Sequence, residues 1–264
     1  MDPLKTYSMF STRHFVLLIA LIWIFAQPVH AETARLAVAA NFATTMPLLQ
    51  ERFEQRTAHK LKISYGPSGQ FYAQIRQGAP YDVMLSADSR RPRLLEEEKL
   101  TLPGSRFTYA FGRLVLWAPK DKPSLEDGGI LKSRTFTRLA IADPKVAPYG
   151  EAAREVLKHM NLWDELSAKL IRGHSIGQTF QMVSSGAVDL GFVALSQVKG
   201  GAGSTWIVPD DKYKPLQQQA VLLRHGADNP AAEQWLKFLR SQEALEIIIA
   251  SGYGAPLTSS NDAD

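Results

Sequence analysis

The segment Leu61-Lys-Ile-Ser-Tyr-Gly-Pro-Ser-Gly-Gln-Phe-Tyr-Ala-Gln-Ile-Arg76 contains a strand, a turn and a helix in that order. Its first five residues alternate between apolar and polar side chains, as a β-strand does. The Pro-Ser-Gly-Gln that follows is typical of a turn, and Phe71 and Ile75 then lie four residues apart on one face of a helix. A second apolar run follows at residues 82–86. This order predicts an α/β fold with largely parallel strands.

The same alternation continues along most of the chain. Short apolar or β-branched runs predict strands at residues 35–40, 61–65, 82–86, 114–118, 139–142, 170–172, 188–193 and 220–224. Helical spacing of apolar residues follows at 42–53, 71–76 and 152–160, after Ser175, and at 230–250. In the first helix Pro47 leaves two alternatives, because a proline inside a helix removes a hydrogen bond. Either Asn41 caps a kinked helix, or regular helix begins near Thr45.

The composition is that of an ordinary globular protein. The chain has 264 residues, 45% hydrophobic and 21% charged, which is enough to bury a substantial core. Its formal charge of +4 and pI near 9.2 hint at an anionic partner. The basic residues are dispersed and not interleaved with aromatics, so nucleic acid is not expected. The absence of Cys excludes disulfides, thiolate metal sites and a lipid-bearing N-terminal Cys.

The N-terminus reads as an export signal. Lys5 and Arg13 precede an apolar run of twelve residues, 15–26, which Val-His-Ala31 follows shortly afterwards. A spanning helix needs about 20 apolar residues, so this run is short for a membrane anchor. We therefore predict that residues 1–31 are a signal peptide cleaved after Ala31, and that the mature protein is free in the periplasm.

Catalytic patterns find little support. Around Ser68, the string Gly-Pro-Ser-Gly-Gln lacks the second glycine of a nucleophile elbow, G-x-S-x-G. The glycine-rich residues 200–204 are not followed by the Lys-Ser/Thr of a phosphate-binding P-loop, and no H-E-x-x-H pattern places two histidines for zinc. Asp88 and Asp143 end strands, where aspartate usually serves a turn or a helix cap. The sequence thus favours a binding protein over an enzyme.

Four predicted strand-to-helix turns share a character that suits anion binding. They lie at residues 40–41, 67–70, 147–150 and 175–177, and none contains Lys or Arg. A helix start carries unpaired N–H groups and about half a positive charge. Asn41 and Ser68 add side-chain donors, and a glycine in three of the turns allows close approach of a ligand. The alternative is that Asn41, Ser68 and Ser175 are only N-caps of their helices.

These turns belong to a set of strings that resembles a known family. The strings are Val38-Ala-Ala-Asn-Phe42, Gly66-Pro-Ser-Gly-Gln70, Gly78-Ala-Pro-Tyr-Asp-Val83, Leu85-Ser-Ala-Asp88, Ala142-Asp-Pro-Lys145 with Ala147-Pro-Tyr-Gly150, and Leu190-Gly-Phe-Val193. As a set they look like the periplasmic molybdate-binding proteins of ABC transporters. The resemblance implies a type II periplasmic-binding-protein fold: two α/β lobes, a hinge and a central ligand cleft. We expect lobe 1 at 32–112 plus 217–264, lobe 2 at 113–216, and hinge bending near 113–118 and 213–219.

The resemblance also implies the ligand-binding residues. The family's first-lobe positions fall on Asn41 and Ser68, and its second-lobe positions fall on the N–H groups of Tyr149 and Ile176. Some family members use a tyrosine where this sequence has Ala194. We expect the Tyr149 hydroxyl to supply that missing donor from a different turn.

By this resemblance the protein captures molybdate, and tungstate with it, through neutral hydrogen bonds and delivers it to a membrane permease. Molybdenum would be bound only as molybdate, with no cofactor, no catalysis and a monomeric receptor. Two alternatives remain open at this point. One is a receptor for another oxyanion such as sulfate or phosphate, and the other is an exported α/β hydrolase with Ser68 as nucleophile.

Overall fold

The computed structural model describes residues 31–119 and 123–256. The predicted signal peptide lies outside these residues, apart from Ala31 at its end. Within the described residues, no helix has both the length and the apolar content that crossing a membrane requires.

Strands and helices alternate through most of the chain. The strands are β1 (Thr33–Ala39), β2 (Lys60–Gly66), β3 (Val83–Ser86), β4 (Phe107–Gly112), β5 (Leu114–Ala118), β6 (Leu139–Ala142), β7 (Leu170–Gly173), β8 (Leu190–Ala194), β9 (Ser204–Ile207) and β10 (Leu216–Leu222). The α-helices are α1 (Met46–Arg56), α2 (Ser68–Arg76), α3 (Arg90–Glu97), α4 (Gly129–Ser133), α5 (Pro148–His159), α6 (Ile176–Ser184), α7 (Leu195–Val198), α8 (Pro230–Leu239) and α9 (Gln242–Ala250). A 3-10 turn, Ala40–Phe42, follows β1 directly.

The strands form two five-stranded sheets of the same design. Their orders are β2-β1-β3-β10-β4 and β7-β6-β8-β5-β9. In each sheet the first three strands are parallel, and the last two pair antiparallel. The fourth strand, β10 or β5, is antiparallel to both of its neighbours, so the other four strands of each sheet run in one direction and the prediction of largely parallel strands is confirmed. The antiparallel pairs involve β5 and β10, which the chain uses to pass from one sheet to the other, so no helical crossover sets their direction.

The chain changes sheets twice. Arg113 alone separates β4 of the first sheet from β5 of the second, and the return occurs between Ile207 and Leu216. Each sheet and its helices form one α/β lobe, so the protein has two lobes joined by two crossings. The expected lobe bounds, 32–112 plus 217–264 and 113–216, stay a prediction at the level of single residues.

The start of α1 settles the alternatives that Pro47 left open. Regular helix begins at Met46 after Thr45, with Pro47 in the first turn, where a proline removes no helical hydrogen bond. Phe42 lies in the separate 3-10 turn and still packs in the same core as Phe53. The apolar spacing from Phe42 to Phe53 thus identified buried residues correctly, although these residues do not all lie in one helix.

Strands β4 and β9 were not predicted. β9 includes Ser204, which the sequence placed in a glycine-rich loop, and its side chains are only partly buried or exposed. Both strands lie at the edge of their sheets. Strand β9 has no buried face to mark it, whereas β4 buries Tyr109, Ala110 and Gly112.

Candidate ligand-binding site

The four predicted turns meet at one cavity between the two lobes. Parallel strands point the same way, so the turns at their carboxyl ends gather at one edge of each sheet. The turns after β1 and β2 come from the first lobe, and those after β6 and β7 come from the second. The cavity is lined by Ala39, Ala40, Asn41, Gly66, Pro67, Ser68, Ala87, Ala147, Pro148, Tyr149 and Ile176. All four residues expected to bind the ligand are therefore brought together, and each is at most 4% exposed.

The lining is uncharged, and the cavity is small. No Lys, Arg, His, Asp or Glu is among its lining residues, and its volume is about 10 Å³. Helix α2 begins at Ser68, α5 at Pro148 and α6 at Ile176, so three helix N-termini open onto this space. The N–H groups of a first turn have no partner within their own helix. The site thus presents partial positive charge without a formal cation.

The Ser68 hydroxyl has its acceptor side occupied within the protein. Ser68 is the first residue of α2, and Pro67, not Ser68, is the N-cap, so the N-cap alternative does not hold for Ser68. Its Oγ accepts a hydrogen bond from Ala87 N at 3.0 Å. Among the described residues no acceptor takes the Ser68 hydroxyl hydrogen. That hydrogen is available to a ligand in the cavity.

The Tyr149 hydroxyl has the same arrangement. Its ring is buried on α5, and its Oη accepts a hydrogen bond from Gln218 Nε2 at 3.2 Å. Burial raises the pKa of Tyr149 well above its ordinary value, with smaller contributions from neighbouring tyrosines. The hydroxyl therefore keeps its hydrogen at neutral pH and can donate it to a ligand.

The Asn41 side chain bonds within the protein, whereas the sequence suggested that it donates to the ligand. Its Nδ2 donates to Gln218 Oε1 at 2.9 Å and to Tyr253 Oη at 3.0 Å, which uses both amide hydrogens within the protein. Its Oδ1 is buried and has no hydrogen-bond partner among the described residues. Asn41 is not an N-cap either, because it lies inside the 3-10 turn. The side chain therefore has no hydrogen left for a ligand, and a donor from Asn41 would have to be its main-chain N–H.

Ser175, unlike Ser68, is an N-cap. Its Oγ accepts from Gln178 N at 3.2 Å, which holds the first turn of α6 and orients the Ile176 N–H. The stretch Gly173-His174-Ser175-Ile176-Gly177 does match G-x-S-x-G, a better match to a nucleophile elbow than the one around Ser68.

The geometry around Ser175 does not suit a nucleophile. The backbone at Ser175 is ordinary extended chain, with φ −136° and ψ 166°, not the strained turn of an elbow. The neighbouring His174 bonds instead to Gln70 Oε1 at 2.9 Å. No base activates either serine in the described structure.

The two lobes are also joined by bonds around the cavity. Gly69 N donates to Val146 O at 2.9 Å. Ser196 Oγ donates to Asn41 O at 3.0 Å, and Thr44 Oγ1 donates to Ser196 O at 3.0 Å. Gly69, which the sequence suggested for close approach of a ligand, therefore uses its N–H to hold the lobes together. The structure describes a closed arrangement.

Sequence reasoning missed the residues behind the cavity. Gln218, Tyr109 and Tyr253 are buried and link the site residues to one another. A signal was present, since three consecutive glutamines, 217–219, precede the apolar part of a predicted strand. Three amides leading into a buried strand indicate that one has polar partners inside.

Two α/β lobes, two chain crossings and one enclosed site between the lobes define a two-lobed solute-binding protein of the type II periplasmic-binding class. Residues 34–254 match the family model described as bacterial extracellular solute-binding protein. The molybdate-binding protein ModA of Azotobacter vinelandii is 48% identical over 228 residues, 85% of this chain and 90% of the relative. That of Rhodobacter capsulatus is 47% identical, covering 89% of this chain and 93% of the relative.

A solved structure agrees with these matches. The periplasmic molybdate-binding protein of Azotobacter vinelandii superposes with a TM-score of 0.82 at 41% identity, covering 84% of this chain and 99% of the other. The chain belongs to the bacterial extracellular solute-binding family and, within it, to the family of the ModA proteins.

Proposed function

We propose that the protein captures molybdate, and tungstate with it, in the periplasm as the solute-binding component of an ABC transporter. It hands the anion to a membrane permease, with no cofactor and no catalysis, and it acts as a monomer after cleavage behind Ala31. The names of its relatives supply the ligand, and the donor set of the cavity is consistent with it.

The observation that carries this proposal is that the hydroxyls of Ser68 and Tyr149 share one hydrogen-bond arrangement. Ser68 Oγ and Tyr149 Oη each accept an N–H bond from the protein, which leaves the hydrogen of each free to donate to an anion in the cavity that both residues line. The main-chain N–H groups of Asn41, Tyr149 and Ile176 add donors at helix starts. Hydrogen-bond donors from both lobes thus surround one compact space, as a tetrahedral dianion requires.

The same set of hydrogen-bond donors is expected to distinguish oxyanions that carry a hydrogen at neutral pH from those that do not. Hydrogen phosphate carries a hydrogen of its own near neutral pH and needs an acceptor for it. Leaving that O–H unpaired in a buried site costs about 1–3 kcal/mol. Molybdate, tungstate and sulfate carry no hydrogen at neutral pH. Among those three, the larger tetrahedra are expected to fill the donor ring, whereas sulfate would leave its hydrogen bonds stretched.

The lining argues against other small ligands. A zwitterionic amino acid needs a charged partner at each end, and no charged side chain lines this cavity.

Isothermal titration calorimetry of the mature chain with molybdate, tungstate, sulfate and phosphate tests the proposal. We expect sub-micromolar molybdate and tungstate binding, with negligible heat from sulfate and phosphate. Tight sulfate or phosphate binding would make the protein a receptor for another oxyanion. No heat with any of the four anions would reject the proposed function.

A further inference from the structure

Gln218 lies behind the cavity and contacts both lobes. It is fully buried on β10, next to an irregularity in the pairing with β4. Its Oε1 accepts from Asn41 Nδ2 at 2.9 Å and from Tyr109 Oη at 3.0 Å, both in the first lobe. Its Nε2 donates to Tyr149 Oη, in the second lobe, at 3.2 Å. One side chain therefore connects two of the proposed ligand residues without lining the cavity itself.

The partners of Gln218 fix which end of its amide faces which lobe. The two ends of an amide have nearly the same shape, and only hydrogen bonds distinguish them. Tyr253 Oη donates its hydrogen to Asn41 O at 2.8 Å, so it can only accept from the Asn41 side chain, and the Asn41 atom that bonds both Tyr253 and Gln218 is therefore Nδ2. The end of Gln218 that accepts from Asn41 Nδ2 must then be the oxygen. The end that faces Tyr149 is consequently the N–H end.

The orientation of this amide decides what Tyr149 offers the ligand. A hydroxyl that accepts from Gln218 keeps its own hydrogen for the cavity. With the amide reversed, Tyr149 would donate to Gln218 and turn a lone pair toward the cavity, which repels an anion. The neighbouring titratable groups, Tyr109, Tyr149, Tyr213 and Tyr253, all have their pKa raised by burial, so they stay neutral and the pattern holds across neutral pH.

The backbone is also shaped for this contact. A Cβ added at Gly112, the last residue of β4, would lie 2.6 Å from Gln218 Nε2 and would collide with Tyr149 Oη. The chain thus leaves room for the amide and the hydroxyl to meet at the crossing between the lobes.

We propose that Gln218 is a positioning residue that sets the hydrogen-bond polarity of the anion site by holding the Tyr149 hydroxyl as a donor toward the ligand. Gln218 acts through Tyr149 and does not touch the anion. This role rests on the proposed oxyanion function, and it explains how an uncharged site keeps its donors directed at a dianion.

The first test replaces Gln218 with an isosteric acid. In Gln218→Glu, a protonated carboxyl can donate to Tyr149 as the amide does, whereas the ionised form can only accept and adds negative charge. Burial raises the pKa of such a carboxyl toward neutrality. We expect molybdate affinity of this variant to fall at least roughly tenfold as the pH rises from about 6 to 9, while wild-type affinity stays flat.

Gln219→Glu is the matched control. It makes the same change one residue along β10, where Gln219 bonds to Arg106 and Thr108 away from the cavity. We expect its molybdate affinity to stay close to wild type at every pH. An equal pH dependence in both variants, or none in Gln218→Glu, would overturn the proposal.

The second test separates positioning from a merely structural role. Gln218→Met keeps the volume of the side chain and removes both hydrogen-bonding ends. If Gln218 acts through the hydroxyl, Tyr149→Phe should weaken molybdate binding in the wild type and add little on the Gln218→Met background. Equal losses on both backgrounds would contradict the proposal.

Circular dichroism and thermal melting would confirm that each variant is folded. A wild type that binds no oxyanion rejects the proposed function itself. A wild type that binds molybdate, with variants that bind it equally well, rejects only the role of Gln218.

Discussion

Ser68 and Tyr149 become hydrogen-bond donors in the same way. A hydroxyl can donate one hydrogen bond and accept others, so its direction in a site depends on its surroundings. Here Ala87 N–H and Gln218 Nε2–H occupy the oxygens from the protein side. Each hydroxyl hydrogen is left for the cavity, and the site gains donors without burying a charge.

Removing the Tyr149 hydroxyl tests this directly. A hydrogen bond to a charged ligand is worth roughly 1.5–3 kcal/mol, so Tyr149→Phe should weaken molybdate binding about tenfold or more by calorimetry. The change also leaves the buried Gln218 Nε2 without its acceptor, so the free energy of unfolding should fall by about 1–3 kcal/mol in urea titrations. Unchanged affinity would mean that only the main-chain N–H of Tyr149 reaches the anion.

A second residue-scale prediction concerns Ser68. Ser68→Ala removes a donor to the ligand and the acceptor of Ala87 N–H, so both molybdate affinity and stability should decrease, the affinity by roughly tenfold. Ser241 provides a control, because its hydroxyl also accepts a main-chain N–H, from Ala244 at 3.3 Å, as the N-cap of α9. Ser241→Ala should cost about 1 kcal/mol of stability and leave calorimetric affinity unchanged. A loss of affinity in both variants would point to general destabilisation.

At the scale of elements, the helix starts differ in how tightly they are packed. The sequence suggested that Gly150 and Gly177 both allow a ligand to approach. At Gly150 an added Cβ would lie 2.9 Å from Asp143 C and even closer to the carbonyl of Ala142, so this glycine lets α5 pack against β6. At Gly177 the nearest atom would be Ala40 Cβ at 3.4 Å, an ordinary contact.

Alanine at these two positions should therefore have different effects. Gly150→Ala must push the start of α5, and Tyr149 with it, away from β6. We expect a loss of about 1–3 kcal/mol in stability, as for overpacked cores, together with weaker molybdate binding. Gly177→Ala should be neutral or stabilising by up to about 1 kcal/mol, because alanine favours helix, and should leave binding unchanged. Thermal melts and calorimetry of both variants check this, and equal destabilisation would refute the distinction.

The elements that the sequence predicted well are those with a strong apolar pattern. Strands β5 and β6, at residues 114–118 and 139–142, are buried throughout and were predicted to the residue. The edge strand β9 was missed because its side chains are only partly buried or exposed. Strand β4 was missed although it carries apolar residues and buries Tyr109, Ala110 and Gly112. The four turns around the candidate site were predicted because turns after parallel strands carry their own residue types, whereas the choice of ligand residues within them came from the family resemblance. Gln218 was not, because the partners of a buried amide come from distant parts of the chain and leave no local spacing.

At the scale of the whole molecule, buried tyrosines make stability sensitive to high pH. Burial raises the pKa of Tyr109, Tyr149 and Tyr253, and it raises the pKa of Tyr213 to about 12. The unfolded chain releases these hydrogens near its ordinary pKa of 10, while the native chain keeps them. Their contribution is complete below pH 10 and is lost as the pH rises above it.

The free energy of unfolding should therefore fall steeply above pH 10, by about 1.4 kcal/mol per pH unit for each such tyrosine. Urea titrations across this range measure the slope. Tyr213→Phe, which removes one of these groups outside the cavity, should make the slope shallower by about that amount. An identical slope in the variant would show that Tyr213 titrates normally in the native state.

The bonds that join the lobes beside the cavity bear on how long a ligand remains bound. Gly69 N–H to Val146 O and Ser196 Oγ–H to Asn41 O involve main-chain groups next to the proposed ligand residues, yet none of these bonds needs the anion. Because the cavity lies between the lobes, we expect these bonds to break when the anion leaves. The dissociation rate can then be adjusted by residues that never touch the ligand. A permease could then release the anion by separating the lobes and breaking these bonds, without weakening the hydrogen bonds to the anion itself.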